Sequence, residues 1–321
     1  MRLGKRVSDL LGVSYPLIQG GMAWVADASL AAAVSNAGGL GVIAAANVPP
    51  DILDREIQKA KDLTDRPFGV NIMLMSVTAD DALELVARHR IPVVTTGAGS
   101  PGKVIERLKP LGTKILPVVP TTALAKRVER QGADAVIIEG CEAGGHIGEL
   151  TTMVLTPLVA QAVSIPVIAA GGIADGRGMA AAFALGAEGV QVGTRFICAA
   201  ESSVHDRYKQ TVLSAKDRSS AVTGRSTGHP VRCIRNKLSA KFDEIERAGA
   251  SVAEIEALGV GRLRAAVVDG DVEMGSVMAG QTAALVSRIS PAEDIIREMC
   301  REAEDVIAGL AECAFPGEEI R

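Results

Sequence analysis

The chain has 321 residues and a net charge of −4 with no basic run, so a nucleic-acid-binding surface is not indicated. Hydrophobic residues make up 48% of it but aromatics only 2%, which argues against base-stacking platforms and leaves Ala, Val, Ile and Leu to build the core. Such a core suits a parallel sheet wrapped by helices, because its strands are apolar on both faces.

In chain order, short apolar runs alternate with longer helix-patterned stretches. The runs are Pro16–Gly20, Gly41–Ala45, Phe68–Met73, Pro92–Thr96, Lys114–Val119, Ala133–Glu139, Pro166–Ala170 and Gly189–Gly193, eight in all. Between them, Asp51–Thr64, Ala79–Arg90, Thr122–Gln131 and Gly176–Leu185 carry the amphipathic period of helices. Gly112, Gly132 and Gly186 sit where a helix end needs a left-handed residue. Strict alternation implies parallel strands with right-handed crossovers, and eight units in this length predict a (β/α)8 TIM barrel. An open dinucleotide fold would place Gly-x-Gly-x-x-Gly after the first strand, whereas here that strand runs into Gln19-Gly20-Gly21-Met22-Ala23-Trp24.

After the eighth strand the period weakens and charge rises. Residues 202–264 are expected to form a small helical insertion covering the barrel mouth as a lid, with a peripheral decoration as the alternative. The barrel itself is assigned to 1–201 and 265–321, closed by two last helices at Val277–Ser287 and Pro291–Ala311. The five scattered cysteines include no Cys-x-x-Cys pair and read as reduced thiols; no metal ligands are assigned. No uninterrupted apolar stretch reaches the roughly 18 residues of a membrane span, and no secretory signal develops after the basic start, so a cytoplasmic protein is expected.

In such a barrel, chemistry sits on the loops that follow the strands. The loops after strands seven and eight commonly hold phosphate, and Gly171, Gly172, Gly193 and Thr194 would offer backbone N–H groups and one hydroxyl there. These glycines would otherwise serve only as tight turns. Asn47 ends the second strand, and Asn71 and Gln191 lie inside apolar strands. A buried carboxamide needs a partner, either within the barrel or on the polar edge of a heterocycle. His146 follows Glu142-Ala143-Gly144-Gly145 at a strand end and is the candidate proton-handling group. Glu139 and Glu142 would raise its pKa if either carboxylate reached the ring.

Several of these stretches resemble the FMN-dependent barrels related to nitronate monooxygenase. They are Gln19-Gly20-Gly21-Met22-Ala23-Trp24, Ala37-Gly38-Gly39-Leu40-Gly41, Gly69-Val70-Asn71, Thr95-Thr96-Gly97-Ala98-Gly99 and Glu142-Ala143-Gly144-Gly145-His146. Three more are similar to the flavin-dependent enoyl-[acyl-carrier-protein] reductases of bacterial type II fatty-acid synthesis. These are Gly148–Met153, Arg232–Leu238 and Gly275–Gln281. The resemblance covers nearly the whole chain. It implies FMN with its phosphate on Gly171, Gly172, Gly193 and Thr194 and its ring against Gly21, Met22 and Ala23. Asn71 and Gln191 would contact its polar edge or ribityl chain, Gly144 and Gly145 would pass close to it, and Asn47, Glu139, Ala170 and Val192 complete the implied cofactor set.

The same resemblance implies His146 as the catalytic residue, NADH or NADPH as co-substrate, acyl carrier protein as the enoyl carrier, and a homodimer. Arg232, Arg235 and His229 would then form a basic patch on the lid for the acidic carrier. Two other readings stand beside this one: oxidation of alkyl nitronates with oxygen on the same scaffold, and a non-redox barrel binding a phosphorylated metabolite.

Overall fold

The computed structural model describes residues 3–313; residues 1–2 and 314–321, which fall within the stretches assigned to the barrel, lie outside the described residues. Eight parallel strands form the central sheet: β1 (Leu17–Gln19), β2 (Gly41–Ala44), β3 (Phe68–Met73), β4 (Val93–Gly97), β5 (Lys114–Val119), β6 (Val136–Glu139), β8 (Val167–Ala170) and β9 (Gly189–Val192). Their order is β1-β9-β8-β6-β5-β4-β3-β2. A parallel bridge from Ile18 to Leu40 joins the two ends, so the sheet closes into a (β/α)8 barrel. Every predicted run became one of these strands.

The closing seam is the thinnest part of the ring, and Gln19 reinforces it. Its fully buried side chain donates to Val42 O at 3.2 Å and accepts from Val42 N at 3.1 Å, doing the work of a ladder pair. Inside the barrel, Ile18, Leu40, Val42, Val93, Leu116, Ile137 and Ile168 pack with Val7 and Leu11 of α1 (Lys5–Leu11). Branched aliphatic side chains are what a barrel this size needs to fill its interior.

The outer ring consists of α2 (Ala28–Asn36), α3 (Pro50–Leu63), α4 (Ala79–His89), α5 (Gly102–Leu108), α6 (Thr122–Gln131), α7 (Thr152–Ala160) and α8 (Gly176–Ala184), completed by α14 (Ala292–Ala311), which packs on α8 and α2. Their starts and stops follow local chemistry. Asp27, Thr121 and Asp175 side chains each accept an N–H of the first turn. Gly132 ends α6 at φ 100°.

The excursion after β9 begins with the single turn α9 (Thr194–Ile197) and α10 (Asp206–Leu213) and ends with α11 (Lys237–Arg247), α12 (Val252–Gly259) and α13 (Arg262–Val267). It is not purely helical as expected. It also contains an antiparallel hairpin, β10 (Ser220–Thr223) and β11 (Val231–Ile234), and β11 pairs in turn with β7 (Gly145–His146) from the loop after β6. The helix expected over Val277–Ser287 is likewise absent: only a 3₁₀ turn, Gln281–Leu285, forms. Backbone groups there are used in tertiary pairing. Val277 O accepts from Ile234 N, Met278 O from the Tyr208 hydroxyl at 2.7 Å, and Gln281 N donates to Glu142 O. Among the described residues, no helix is long and apolar enough to cross a membrane.

Candidate active site

The strand ends of β1, β3 and β9 meet at the carboxyl end of the barrel. A Cβ on Gly21 would overlap the Asn71 side chain, and one on Gly20 would come within 3.3 Å of the Gln191 carboxamide. Met22 lies against Gly193, where an added Cβ would sit 3.5 Å from its sulfur. Ala23 is half-buried in the same loop, and Val192 is fully buried, its carbonyl taken by Gly20 N.

Asn71 donates to Thr95 Oγ1 at 2.8 Å, so one edge of its amide is satisfied within the barrel. Gln191 is 9% exposed and its carboxamide has no hydrogen-bond partner among the described residues. Its polar atoms are not among the buried ones left without a partner, so the amide edge faces open space at the barrel mouth.

A second group forms at the ends of the neighbouring strands β8 and β9. Gly171 and Gly172 have φ of 88° and 74°, a left-handed pair that points successive N–H groups to one side. The N–H groups of Gly171, Gly172 and Gly193 donate to no described acceptor. Three free donors flanking Thr194 make a cradle that fits a phosphate. The Thr194 hydroxyl accepts Gly280 N at 2.9 Å, which leaves its own proton to donate. Ala170 O is taken up internally by Gly140 N and Thr152 Oγ1.

The third group carries the histidine. Gly144 is pressed against the Ala279–Gly280 backbone, where a Cβ would lie 2.7 Å from backbone atoms, and Gly145 has φ 77° with the Met278 sulfur beside it. The residues 278–281 therefore build the site, although the sequence reading placed them in a helix. Ala279-Gly280, two small residues in succession, are the signal that marks such a close passage. His146 opposes Val231 in the β7–β11 pairing, and its ring makes no hydrogen bond to a described residue. One edge of the ring is open to solvent, yet the surrounding protein desolvates it and His229 adds like charge, so its pKa falls below the ordinary 6.5.

Neither carboxylate raises that pKa. Glu142 accepts from Thr152 N at 3.0 Å and from Thr152 Oγ1 at 3.2 Å. Glu139, at the end of β6, is pushed up to about 7 by desolvation. Because the neutral acid is the favoured form, wild-type stability falls as pH climbs from the ordinary carboxyl range through about 7. Glu139→Gln has no such loss. The melting temperature of the cofactor-free variant relative to wild type should therefore rise between pH 5 and pH 8, as thermal denaturation would show.

Two expected site residues lie elsewhere. Asn47 is exposed, with φ 56°, and its Oδ1 accepts from the Ser76 hydroxyl at 3.0 Å; no hydrogen bond among the described residues joins it to the groups above. Arg232, expected on the lid surface, is 7% exposed and donates to Cys141 O and Ser220 Oγ, tying the hairpin to the loop after β6.

With the barrel, the glycine cradle and the histidine loop in place, comparison with known proteins is informative. The nitronate monooxygenase family model matches residues 5–84 and 73–302. The chain belongs to the nitronate monooxygenase family. It is thus an oxidoreductase on a (β/α)8 barrel, and family membership removes the non-redox barrel that composition left open. The chain is similar to the FabK structure from Thermotoga maritima, with 51% identity over 97% of this chain and 99% of that one at a TM-score of 0.94. A curated relative from Mycobacterium tuberculosis, (3aS,4S,5R,7aS)-5-hydroxy-7a-methyl-1-oxo-octahydro-1H-indene-4-carboxyl-CoA dehydrogenase, is 36% identical over 94% of this chain and 97% of its own length. A probable nitronate monooxygenase from Staphylococcus saprophyticus is 34% identical over 96% and 99% respectively.

Proposed function

We propose that the protein is an FMN-dependent enoyl-[acyl-carrier-protein] reductase, reducing the trans-2 double bond of an enoyl thioester at the expense of NADH or NADPH. The observation that carries this reading within the family is the full-length, 51% identical likeness to FabK. The CoA-thioester dehydrogenase among the relatives supports thioester chemistry on this scaffold.

The site fits the cofactor. Gly171, Gly172, Gly193 and Thr194 would hold the phosphate, and Gly21, Met22, Asn71 and the unpartnered Gln191 would receive the ring and ribityl chain. When bound, FMN supplies hydride exchange between the nicotinamide and the substrate β-carbon. His146, neutral near pH 7 because its pKa is depressed, donates an N–H hydrogen bond to the thioester oxygen as enolate charge gathers there. Water at its open edge keeps the ring in proton exchange with solvent, the source of the α-carbon proton. The proposed carrier is acyl carrier protein and the proposed assembly a homodimer.

A second reading, nitronate oxidation with oxygen, is favoured by one feature: a neutral imidazole is also a competent base. Anaerobic spectroscopy separates the two. Bleaching of the bound flavin by NADH or NADPH, followed by recovery on adding crotonyl thioester, supports the reductase. Oxygen uptake with propionate 3-nitronate and no thioester-dependent turnover overturns it.

The phosphate cradle has its own test. Thr194→Val should weaken FMN retention by about 1–3 kcal/mol, through the lost donor to a charged group and an orphaned Gly280 N–H. Fluorescence titration of the cofactor-free variant with FMN measures it, and unchanged affinity places the phosphate elsewhere.

A further inference from the structure

A cavity of about 420 Å³ opens between the β10–β11 hairpin and α11, lined by Ser220, Val222, Arg225, Arg232, Arg235 and Asp243 among others. Register explains its make-up. Val222 faces Arg232 across the hairpin and Ser220 lies two residues back on the same face, so polar and cationic groups collect on one side of the ribbon.

Two of the three guanidinium groups are held in place by hydrogen bonds. Arg232 is fixed by Cys141 O at 3.0 Å and Ser220 Oγ at 2.6 Å, and Arg235 donates through Nε to Arg218 O at 3.2 Å. Arg225 makes no side-chain hydrogen bond to a described residue. None of the three takes part in an ion pair among the described residues; the ion pairs of this region join Lys237 to Glu273, Lys241 to Glu244 and Arg264 to Asp269. The nearby Glu246 carboxylate is committed to Gly224 N, Ser226 N and Ser226 Oγ.

The lining carries three cations and the single carboxylate of Asp243, with Glu246 acting on Arg225 and Glu142 on Arg232 from outside it. Cations gathered this closely repel one another, and Arg225 acts on Arg232 in that sense. Such an arrangement is stable when an anion completes it. Nη2 of Arg232 and both Nη groups of Arg235 make no hydrogen bond to a described residue, and planar guanidinium forks match phosphate oxygens two at a time. The volume exceeds what a lone phosphate needs and lies within the range of small-molecule sites. The cavity also adjoins the histidine loop: Arg232 pairs with Gly145 in the β11–β7 register and bonds the carbonyl of Cys141.

We infer that this cavity binds the phosphate monoester on the ribose of a nucleotide-bearing co-substrate, a group of about −1.5 to −2 charge at pH 7. Two sources share that chemistry under the reductase reading on which the choice of ligand rests: the 2′-phosphate of NADPH and the 3′-phosphate of a CoA thioester. Arg225 and Arg235 are specificity-determining residues for whichever is bound.

Calorimetry on the flavin-loaded enzyme at low ionic strength distinguishes them, using pairs that differ only in that phosphate: NADP⁺ against NAD⁺, and CoA against 3′-dephospho-CoA. In one pair the phosphorylated member should bind at least tenfold more tightly. The gap should close in Arg225→Ala and in Arg235→Ala, survive in part in the corresponding lysine variants, and shrink with added salt. The pair showing the gap identifies the source. No gap in either pair, or a gap that persists in both alanine variants, overturns the inference. Enoyl-thioester turnover is read separately, so a phosphate-dependent gap without turnover would reject the reductase reading while leaving the anion site intact.

Discussion

His146→Ala is expected to lower enoyl-thioester reduction by roughly 10²–10⁴-fold, the range for loss of a positioned proton-handling group. Flavin content should not change, because the ring contacts no other described side chain by hydrogen bond and the β7–β11 pairing uses only backbone. Steady-state rates beside the flavin absorbance of the purified variant test both halves. Full activity would remove the imidazole from the reaction. The pH profile adds a sign. Desolvation and the neighbouring His229 hold the imidazole pKa below 6.5, so it is neutral at pH 7 and protonates only as pH falls beneath that value. Because the imidazolium is the stronger hydrogen-bond donor, the change this ring gives the wild-type rate profile should be a gain as pH falls below 6.5, and it should disappear in the variant.

Gly171→Ala is expected to cost more than any other small change at the cradle. The residue is held at φ 88°, and an added Cβ would sit 2.9 Å from Gly140 O and 3.2 Å from Ala143 N. The left-handed conformation alone costs about 1–2 kcal/mol for a residue with a Cβ. The contact then forces Gly140 and Ala143 away from positions that set the histidine loop. Flavin retention should fall at least tenfold, with a melting temperature several degrees lower. Gly172→Ala is the control: its φ of 74° carries the same conformational cost, but its Cβ would meet Glu142 only at an ordinary 3.5 Å. Equal losses in the two variants would show that the close passage beneath Gly171 is unimportant.

The barrel was legible in the sequence because its signals are local. Runs such as Val136–Glu139 and Val167–Ala170 are apolar on both faces, as strands covered by helices must be, and Gly132 announces the end of α6. The Gly171-Gly172 turn was legible for the same reason, since two consecutive glycines directly after a strand favour left-handed backbone, and both have positive φ. What escaped is stabilised at a distance. Residues 277–287 have helix-compatible composition, yet Ile234, Tyr208, Thr194 and Glu142 claim their backbone groups from four separate parts of the chain. The hairpin is only four residues per strand, and its third partner, Gly145–His146, comes from far upstream. Arg232 was recognised as a basic residue of interest, but its burial depends on a carbonyl 91 positions away. No window along the chain holds that information. The Arg225, Arg232 and Arg235 cavity escaped for the same reason.

One consequence follows from the pairing of Gly145–His146 with β11. The His146 imidazole is mounted, through its own backbone, on the add-on ribbon rather than on the barrel strands that carry Gly171, Gly172 and Gly193. A change in the length or sequence of that ribbon would thereby move the imidazole relative to the strand-end loops. A chimaera exchanging only residues 220–234 between two relatives would then move the choice of reaction with the graft, while leaving the colour of the protein unchanged.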